Sequence, residues 1–187
     1  MDEKKELFER FVSGERVYKG RLLDVRRDEI LLPDGKPSAR EYIRHVGAVC
    51  VVPLTGDGRV IVERQFRYPV GEVMTEIPAG KLDGNNEDRL SAAKRELCEE
   101  TGFTAAEWTF LGDYYPTPAY SDERISMYMA RGLSSGERKL DEDEFLNVKA
   151  VPLESLVKDI LEGRITDGKT QAAVLKTAML LKKENRI

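Results

Sequence analysis

Along the first third of the chain, apolar and polar residues alternate. Residues 15–32 carry this period well enough for one or two strands. Pro33-Asp34-Gly35-Lys36 holds the residues of a tight turn, and 40–45 reads as the returning strand. Roughly the first 45 residues therefore form an antiparallel, hairpin-like unit. Residues 46–54 are a continuous apolar run, which predicts a buried strand. Thr55-Gly56-Asp57-Gly58 turns the chain into a further strand over 59–66. Strands are also predicted over 108–114, 125–130 and 146–151. A helix is expected where Leu90, Ala93 and Leu97 recur at helical spacing. Asn85 or Asn86 would cap it, with Glu87 and Asp88 in its first turn and Gly102 at its end. Two more helices are predicted over 153–162 and 167–183. The last would bury Ala172, Leu175, Ala178, Met179 and Leu181. Strands mixed with a few helices predict an α/β fold with a mixed sheet between helices.

Composition narrows the classes. The chain has 187 residues, enough for one good core and a small extra lobe. A net charge of −4 argues against a general nucleic-acid binder, which needs a basic face. The longest apolar run is too short to span a bilayer, so no membrane partner is expected. The charged start, Met1 to Glu6, does not read as a signal peptide. Cys50 and Cys98 are far apart and read as free thiols in a reducing compartment. These features predict a cytoplasmic protein.

The chemistry concentrates in Arg95-Glu96-Leu97-Cys98-Glu99-Glu100-Thr101-Gly102-Phe103. On a helix, Glu96 lies three and four residues from Glu99 and Glu100, so the three carboxylates share one face. Alone, such a run is more often a solvated face. Here a buried stripe lies beside it, and Arg95 stands four residues before Glu99, at the spacing of a charge-assisted bond. Like charges on one face repel unless a cation sits among them. A hard divalent ion takes oxygen ligands of this kind and pairs them with phosphates. Upstream, Glu76-Ile77-Pro78-Ala79-Gly80-Lys81-Leu82 runs as an apolar turn into a loop. Gly80 would let backbone approach a metal or phosphate closely.

Read together, residues 80–103 resemble the Nudix box of the Nudix hydrolases. Gly80, Glu87, Arg95, Glu96, Leu97, Glu99, Glu100, Gly102 and Phe103 supply its pattern. The chain departs from it once: six residues, where the box has five, separate Gly80 from Glu87. The extra residue falls in the turn-forming Asp83-Gly84-Asn85-Asn86, where a surface loop absorbs it. About three quarters of the chain also resembles the ADP-ribose pyrophosphatase branch. The pieces include Arg64-Gln65-Phe66-Arg67-Tyr68-Pro69, Thr117-Pro118-Ala119-Tyr120-Ser121-Asp122-Glu123 and Leu140-Asp141-Glu142-Asp143-Glu144-Phe145. Val46 stands where many relatives have proline, and Ala119 where many have glycine.

The resemblance implies a Nudix α/β/α sandwich over 46–187, preceded by an N-terminal antiparallel sheet region over 1–45 that serves dimerisation and substrate. It implies Mg2+, with Mn2+ as a substitute, held by Glu96, Glu99, Glu100 and the Ala79 carbonyl. Arg95 would tether Glu99. The general base would come from the acidic loop, with Glu144 first and Glu142 second. Substrate contacts would fall on Arg67, Gly80, Leu82 and Glu123, with Arg40, Glu41 and Arg44 reaching the nucleotide of a partner subunit in a homodimer. The first strands offer no obvious aromatic to stack adenine other than Tyr18. His45, the only histidine, is read as a packing residue. The implied reaction is hydrolysis of ADP-ribose to AMP and ribose 5-phosphate. Two alternatives are another nucleoside diphosphate sugar such as GDP-mannose, and a non-catalytic ADP-ribose sensor. The retained carboxylates stand against the sensor.

Overall fold

The computed structural model describes residues 6–84, 86–138 and 145–184. The chain folds as two units, Met1–Val46 with Thr117–Glu123, and Gly47–Pro116 with Arg124–Ile187.

The first unit is a three-stranded antiparallel sheet in the order β1-β2-β3: β1 (Arg10–Lys19), β2 (Asp24–Leu31) and β3 (Pro37–Ile43). The expected turn closes β2 onto β3. Leu32 N–H donates to the Lys36 carbonyl, and Gly35 takes φ 84, a conformation that favours glycine. Two strands, not one, fill the first alternating stretch, and β1 begins earlier than the alternation suggests. Leu22 and Leu23 hide the break between them: they read as strand but lie exposed in a turn closed by Gly20 N–H on the Leu23 carbonyl. Asp24 ties the sheet together. Its carboxylate accepts from Arg26 (2.8 Å) and Arg16 (3.1 Å), which hold it below its ordinary pKa. Past β3, the 117–123 segment bonds to the same unit: Ile43 N–H meets the Tyr120 carbonyl, and His45 N–H donates to Asp122 at 2.6 Å.

The second unit carries a mixed sheet, β7-β4-β9-β8, and a three-stranded sheet, β10-β5-β6. The strands are β4 (Ala48–Pro53), β5 (Arg59–Arg67), β6 (Glu72–Glu76), β7 (Ala79–Lys81), β8 (Phe103–Tyr114), β9 (Ile125–Ser135) and β10 (Leu146–Pro152). The helices are α1 (Arg89–Thr101), α2 (Leu153–Leu161) and α3 (Gly168–Lys183). β4 is buried along its whole length and pairs parallel with β9. Its side chains alternate between two cores. Ala48, Cys50 and Val52 pack with Leu156, Ile160, Ala173 and Val174 of α2 and α3. Val49 and Val51 pack with Ala92, Ala93 and Leu97 of α1. A sheet covered by helices on both faces is the expected sandwich, and it explains why 46–54 reads as uninterrupted apolar sequence.

Three expectations need correction. β6 and β7 lie where the sequence predicts a loop, because both are short and Ile77-Pro78 separates them. β8 starts at Phe103, directly after the helix-ending Gly102. The buried stripe of α3 is Thr170, Ala173, Val174, Thr177 and Leu181, while Met179 is exposed. Two buried threonines disguised that stripe. Among the described residues, no helix is long and apolar enough to cross a membrane.

Candidate active site

α1 is fixed at both ends. Its cap is Asp88, not Asn85 or Asn86, because the Asp88 carboxylate accepts from Ser91 N–H at 2.8 Å and from its hydroxyl at 2.9 Å. Glu87 therefore lies before the helix instead of in its first turn. Gly102 ends it at φ 74, its N–H returning to the Cys98 carbonyl.

This frame sets the three glutamates. Glu96 and Glu100 lie on the buried face, and the Glu99 side chain is 42% exposed. Glu100 Oε2 accepts from Ala79 N–H at 2.9 Å, so the carboxylate sits against the start of β7. Glu96 lies against Gly80 so closely that a Cβ there would stand 2.0 Å from its carboxyl carbon. Gly80 is thus a cradle for a carboxylate. The sequence predicts that Gly80 lets backbone approach a metal or phosphate; the group that lies against it here is the Glu96 carboxylate.

Arg95 joins the acidic groups. Its Nη1 donates to Glu96 at 2.8 Å and to Glu99 at 3.0 Å, its Nε to Glu87 at 3.2 Å, and its Nη2 to the Lys81 carbonyl at 3.2 Å. Burial disfavours its charge, but Glu87, Glu96 and Glu99 outweigh that and raise its pKa. Arg95 and the Asp83 N–H lower that of Glu87. The lengthened loop therefore still delivers Glu87 to Arg95. Its Asn85 lies outside the described residues.

Among the described residues, no three His, Cys, Asp or Glu side chains converge as a ready metal-binding group. Glu96 and Glu99 share Arg95, and Glu100 leans on the Ala79 amide. The donors nonetheless fit a hard divalent cation. They are carboxylate and carbonyl oxygens on one helix face and one adjoining loop, with the glycine cradle between them.

Arg67 pairs with Glu76, the last residue of β6. Its Nε and Nη2 each meet a Glu76 oxygen at 2.7 Å in a fork-on-fork pair. Glu76 is 1% exposed, while the Arg67 side chain is 38% exposed. Burial pushes Glu76 up, but Arg67 and Lys169 outweigh it and leave its pKa lowered. Leu82 packs into the α1 core at 5% exposure, so only its main chain is left to meet a ligand.

The other expected residues fall in the first unit. Arg40 pairs with Glu9, Arg44 with Asp122 at 3.2 Å, and Glu123 lies 3.8 Å from His45 Nδ1. Glu41 is exposed on β3, and Tyr18 is exposed on β1. Glu142 and Glu144 lie outside the described residues. Sequence reasoning missed Lys169, which reaches Glu76 from the start of α3, and Asp167, which accepts from Lys169. The only local signal was a cap-forming aspartate before a helical stripe.

Comparison with known proteins decides the family. The model of the NUDIX domain matches residues 44–172, and that of the nucleoside diphosphate sugar hydrolase N-terminal domain matches residues 9–43. The chain belongs to the Nudix hydrolases. This Nudix hydrolase is 40% identical to the ADP-ribose pyrophosphatase of Bacillus subtilis (strain 168), over 91% of this chain and 92% of that one. It is 38% identical to the methanol dehydrogenase activator of Bacillus methanolicus, over 89% and 90% respectively. Its fold matches the crystal structure of an ADP compounds hydrolase with a TM-score of 0.85 at 26% identity, covering 96% of this chain and 97% of that one. Nudix hydrolases generally use divalent metal ions, in keeping with the oxygen donors around Gly80.

Proposed function

We propose that this enzyme hydrolyses the pyrophosphate bond of ADP-ribose, giving AMP and ribose 5-phosphate. The observation that carries the reading is the Glu96–Glu99–Glu100 face, held by Arg95 and set against Ala79 and Gly80. Similarity along 91% of the chain to an ADP-ribose pyrophosphatase supports the choice of substrate.

Glu96, Glu99, Glu100 and the Ala79 carbonyl would hold Mg2+, with Mn2+ as a substitute. The ion would neutralise the phosphates and lower the pKa of a bound water. The chain's own residues do the rest. Arg95 keeps Glu96 and Glu99 apart from each other's charge and in place. Arg67 grips phosphate oxygens through the guanidinium edge that Glu76 leaves open. Glu144, or Glu142 in its stead, takes the proton of the attacking water. A new bond forms from the water oxygen to phosphorus as the bridging oxygen departs. Burial of Glu96 and Glu100 limits competition from bulk water.

We also infer a homodimer in the cytoplasm. Every residue of β1 is exposed, and Phe11, Val12, Val17 and Tyr18 present apolar surface that a second copy would cover. Arg40, Glu41, Arg44 and Glu123 would then serve the nucleotide of the partner's site.

The test is a product assay with Mg2+ over ADP-ribose, GDP-mannose, NADH, diadenosine polyphosphates and 8-oxo-dGTP. AMP and ribose 5-phosphate from ADP-ribose, faster than any other cleavage, is expected. Preference for GDP-mannose would overturn the substrate, and no cleavage at all would overturn the reaction. Light scattering gives the oligomeric state, and a monomer would remove the shared site.

A further inference from the structure

Glu76 does not hold Arg67 alone. Asp167 caps α3, its Oδ2 accepting from Thr170 N–H at 3.0 Å and from the Thr170 hydroxyl at 2.6 Å. Its other oxygen accepts from Lys169 Nζ at 3.1 Å. Lys169 reaches on to Glu76 Oε2, the oxygen that also receives Arg67 Nη2. Thr170 acts in the other direction. Its hydroxyl oxygen accepts from Ile77 N–H at 3.0 Å. Ile77 follows Glu76 and stands two residues before Ala79, whose N–H holds Glu100. One turn of α3 therefore grips both the carboxylate that orients Arg67 and the backbone that leads to Ala79 and Gly80.

Capping does not require all of these contacts. Asp167 and the Thr170 amide suffice to cap the helix. A lysine whose side chain is 12% exposed, beside the fully buried Cys50, is costly unless its partners need it. What Lys169 adds is a second cation on Glu76. Glu76 is then shared, and the Arg67 guanidinium is fixed through Nε and Nη2. Among the described residues, Arg67 Nη1 donates no hydrogen bond, so that edge is the one left for phosphate. What the Thr170 hydroxyl adds is a fixed Ile77 amide, hence a fixed approach to the Ala79 carbonyl.

We infer that Asp167, Lys169 and Thr170 form a positioning clamp that sets Arg67 for the substrate phosphates and the Ala79–Gly80 segment for the metal. The inference rests on the proposed pyrophosphatase reading. Lys169 and Thr170 are positioning residues, because they act through Glu76 and Ile77. The two arms of the clamp predict different kinetic effects. Loss of the lysine disturbs phosphate binding in ground state and transition state alike, so KM rises. Loss of the threonine hydroxyl loosens a ligand's support, so metal affinity and kcat fall.

The experiment compares wild type with Lys169→Met, Lys169→Arg and Thr170→Val. It measures KM and kcat on ADP-ribose, Mn2+ affinity by paramagnetic resonance, and hydrogen exchange at the Ile77 and Ala79 amides. Lys169→Met is expected to raise KM about tenfold with kcat within about threefold, and Lys169→Arg to recover part of the loss. Thr170→Val, nearly isosteric, is expected to weaken Mn2+ binding about tenfold, lower kcat to match, and speed Ile77 exchange. Wild-type kinetics in both variants, or parallel losses that only track melting temperature, would overturn the clamp. If the wild type cleaves no ADP-ribose, the pyrophosphatase reading fails by itself. The clamp is then decided by Thr170→Val, and unchanged Mn2+ affinity with unchanged Ile77 exchange overturns it.

Discussion

The carboxyl group of Glu96 occupies the space in which Gly80 would carry a side chain, 2.0 Å from where a Cβ would stand. The contact is to the end of a side chain, but Glu96 has little freedom to withdraw. It is 9% exposed and bonded to Arg95. Gly80→Ala should therefore push Glu96 from its place. A stability loss of about 1–3 kcal/mol is expected from the overpacking. A fall in kcat of about 10–100-fold is expected from the displaced ligand. Thermal melting and steady-state kinetics check both, and an alanine variant with full turnover would remove the cradle.

Arg95 answers to geometry as well as charge. It serves Glu87, Glu96, Glu99 and the Lys81 carbonyl from one planar group. A lysine keeps the charge but cannot span these acceptors. Arg95→Lys should lower kcat by about 10–100-fold while the protein still melts cooperatively. Activity within error of wild type would show that charge alone suffices.

The Glu76–Lys169 pair gives stability a pH dependence. Glu76 has a lowered pKa in the folded chain. Its contribution is present above its ordinary value and is lost as pH falls through the lowered one, that is, below about pH 4.5. Lys169 is opposed by burial, yet Asp167 and Glu76 raise its pKa. Its contribution is present below its ordinary value and is lost as pH rises above about 10.5. Wild type should therefore lose more melting temperature between pH 7 and pH 4 than Glu76→Gln does. Parallel acid limbs would show that Glu76 is not the group responsible.

The two thiols should differ in reactivity. Burial pushes the Cys50 thiol up to about 12 and encloses it in the core, while Cys98 is partly exposed on α1. The thiolate is the reactive form. A thiol reagent at neutral pH should modify Cys98 and spare Cys50 until the protein is denatured. Two reactive thiols in the native protein would contradict the packing around β4.

What could be read from the sequence was what local spacing controls. The helical period places Glu96 and Glu100 on one face, and the four-residue step joins Arg95 to Glu99 at 3.0 Å. The apolar run over 46–54 announces a strand covered on both sides. The α1 cap was harder, because Asn85, Asn86 and Asp88 can all cap and only the bond to Ser91 selects Asp88. The clamp left no local signature. Lys169 meets Glu76 across 93 residues of sequence, and nothing near either residue marks the other. β6 and β7 were hidden for a related reason. Short strands are defined by the partners they pair with, Glu63–Arg67 and Ala48–Cys50, and not by their own pattern.

The most direct measurement is AMP release from ADP-ribose in the presence of Mg2+, with wild type and Glu100→Gln compared side by side. Glutamine keeps the size of the side chain and an acceptor for the Ala79 amide, but removes the charge that would hold the ion. Turnover by wild type and a kcat lower by several orders of magnitude in the variant is the predicted result. No AMP from wild type, or near-wild-type turnover in a folded Glu100→Gln protein, would contradict the assignment of the reaction to this helix face.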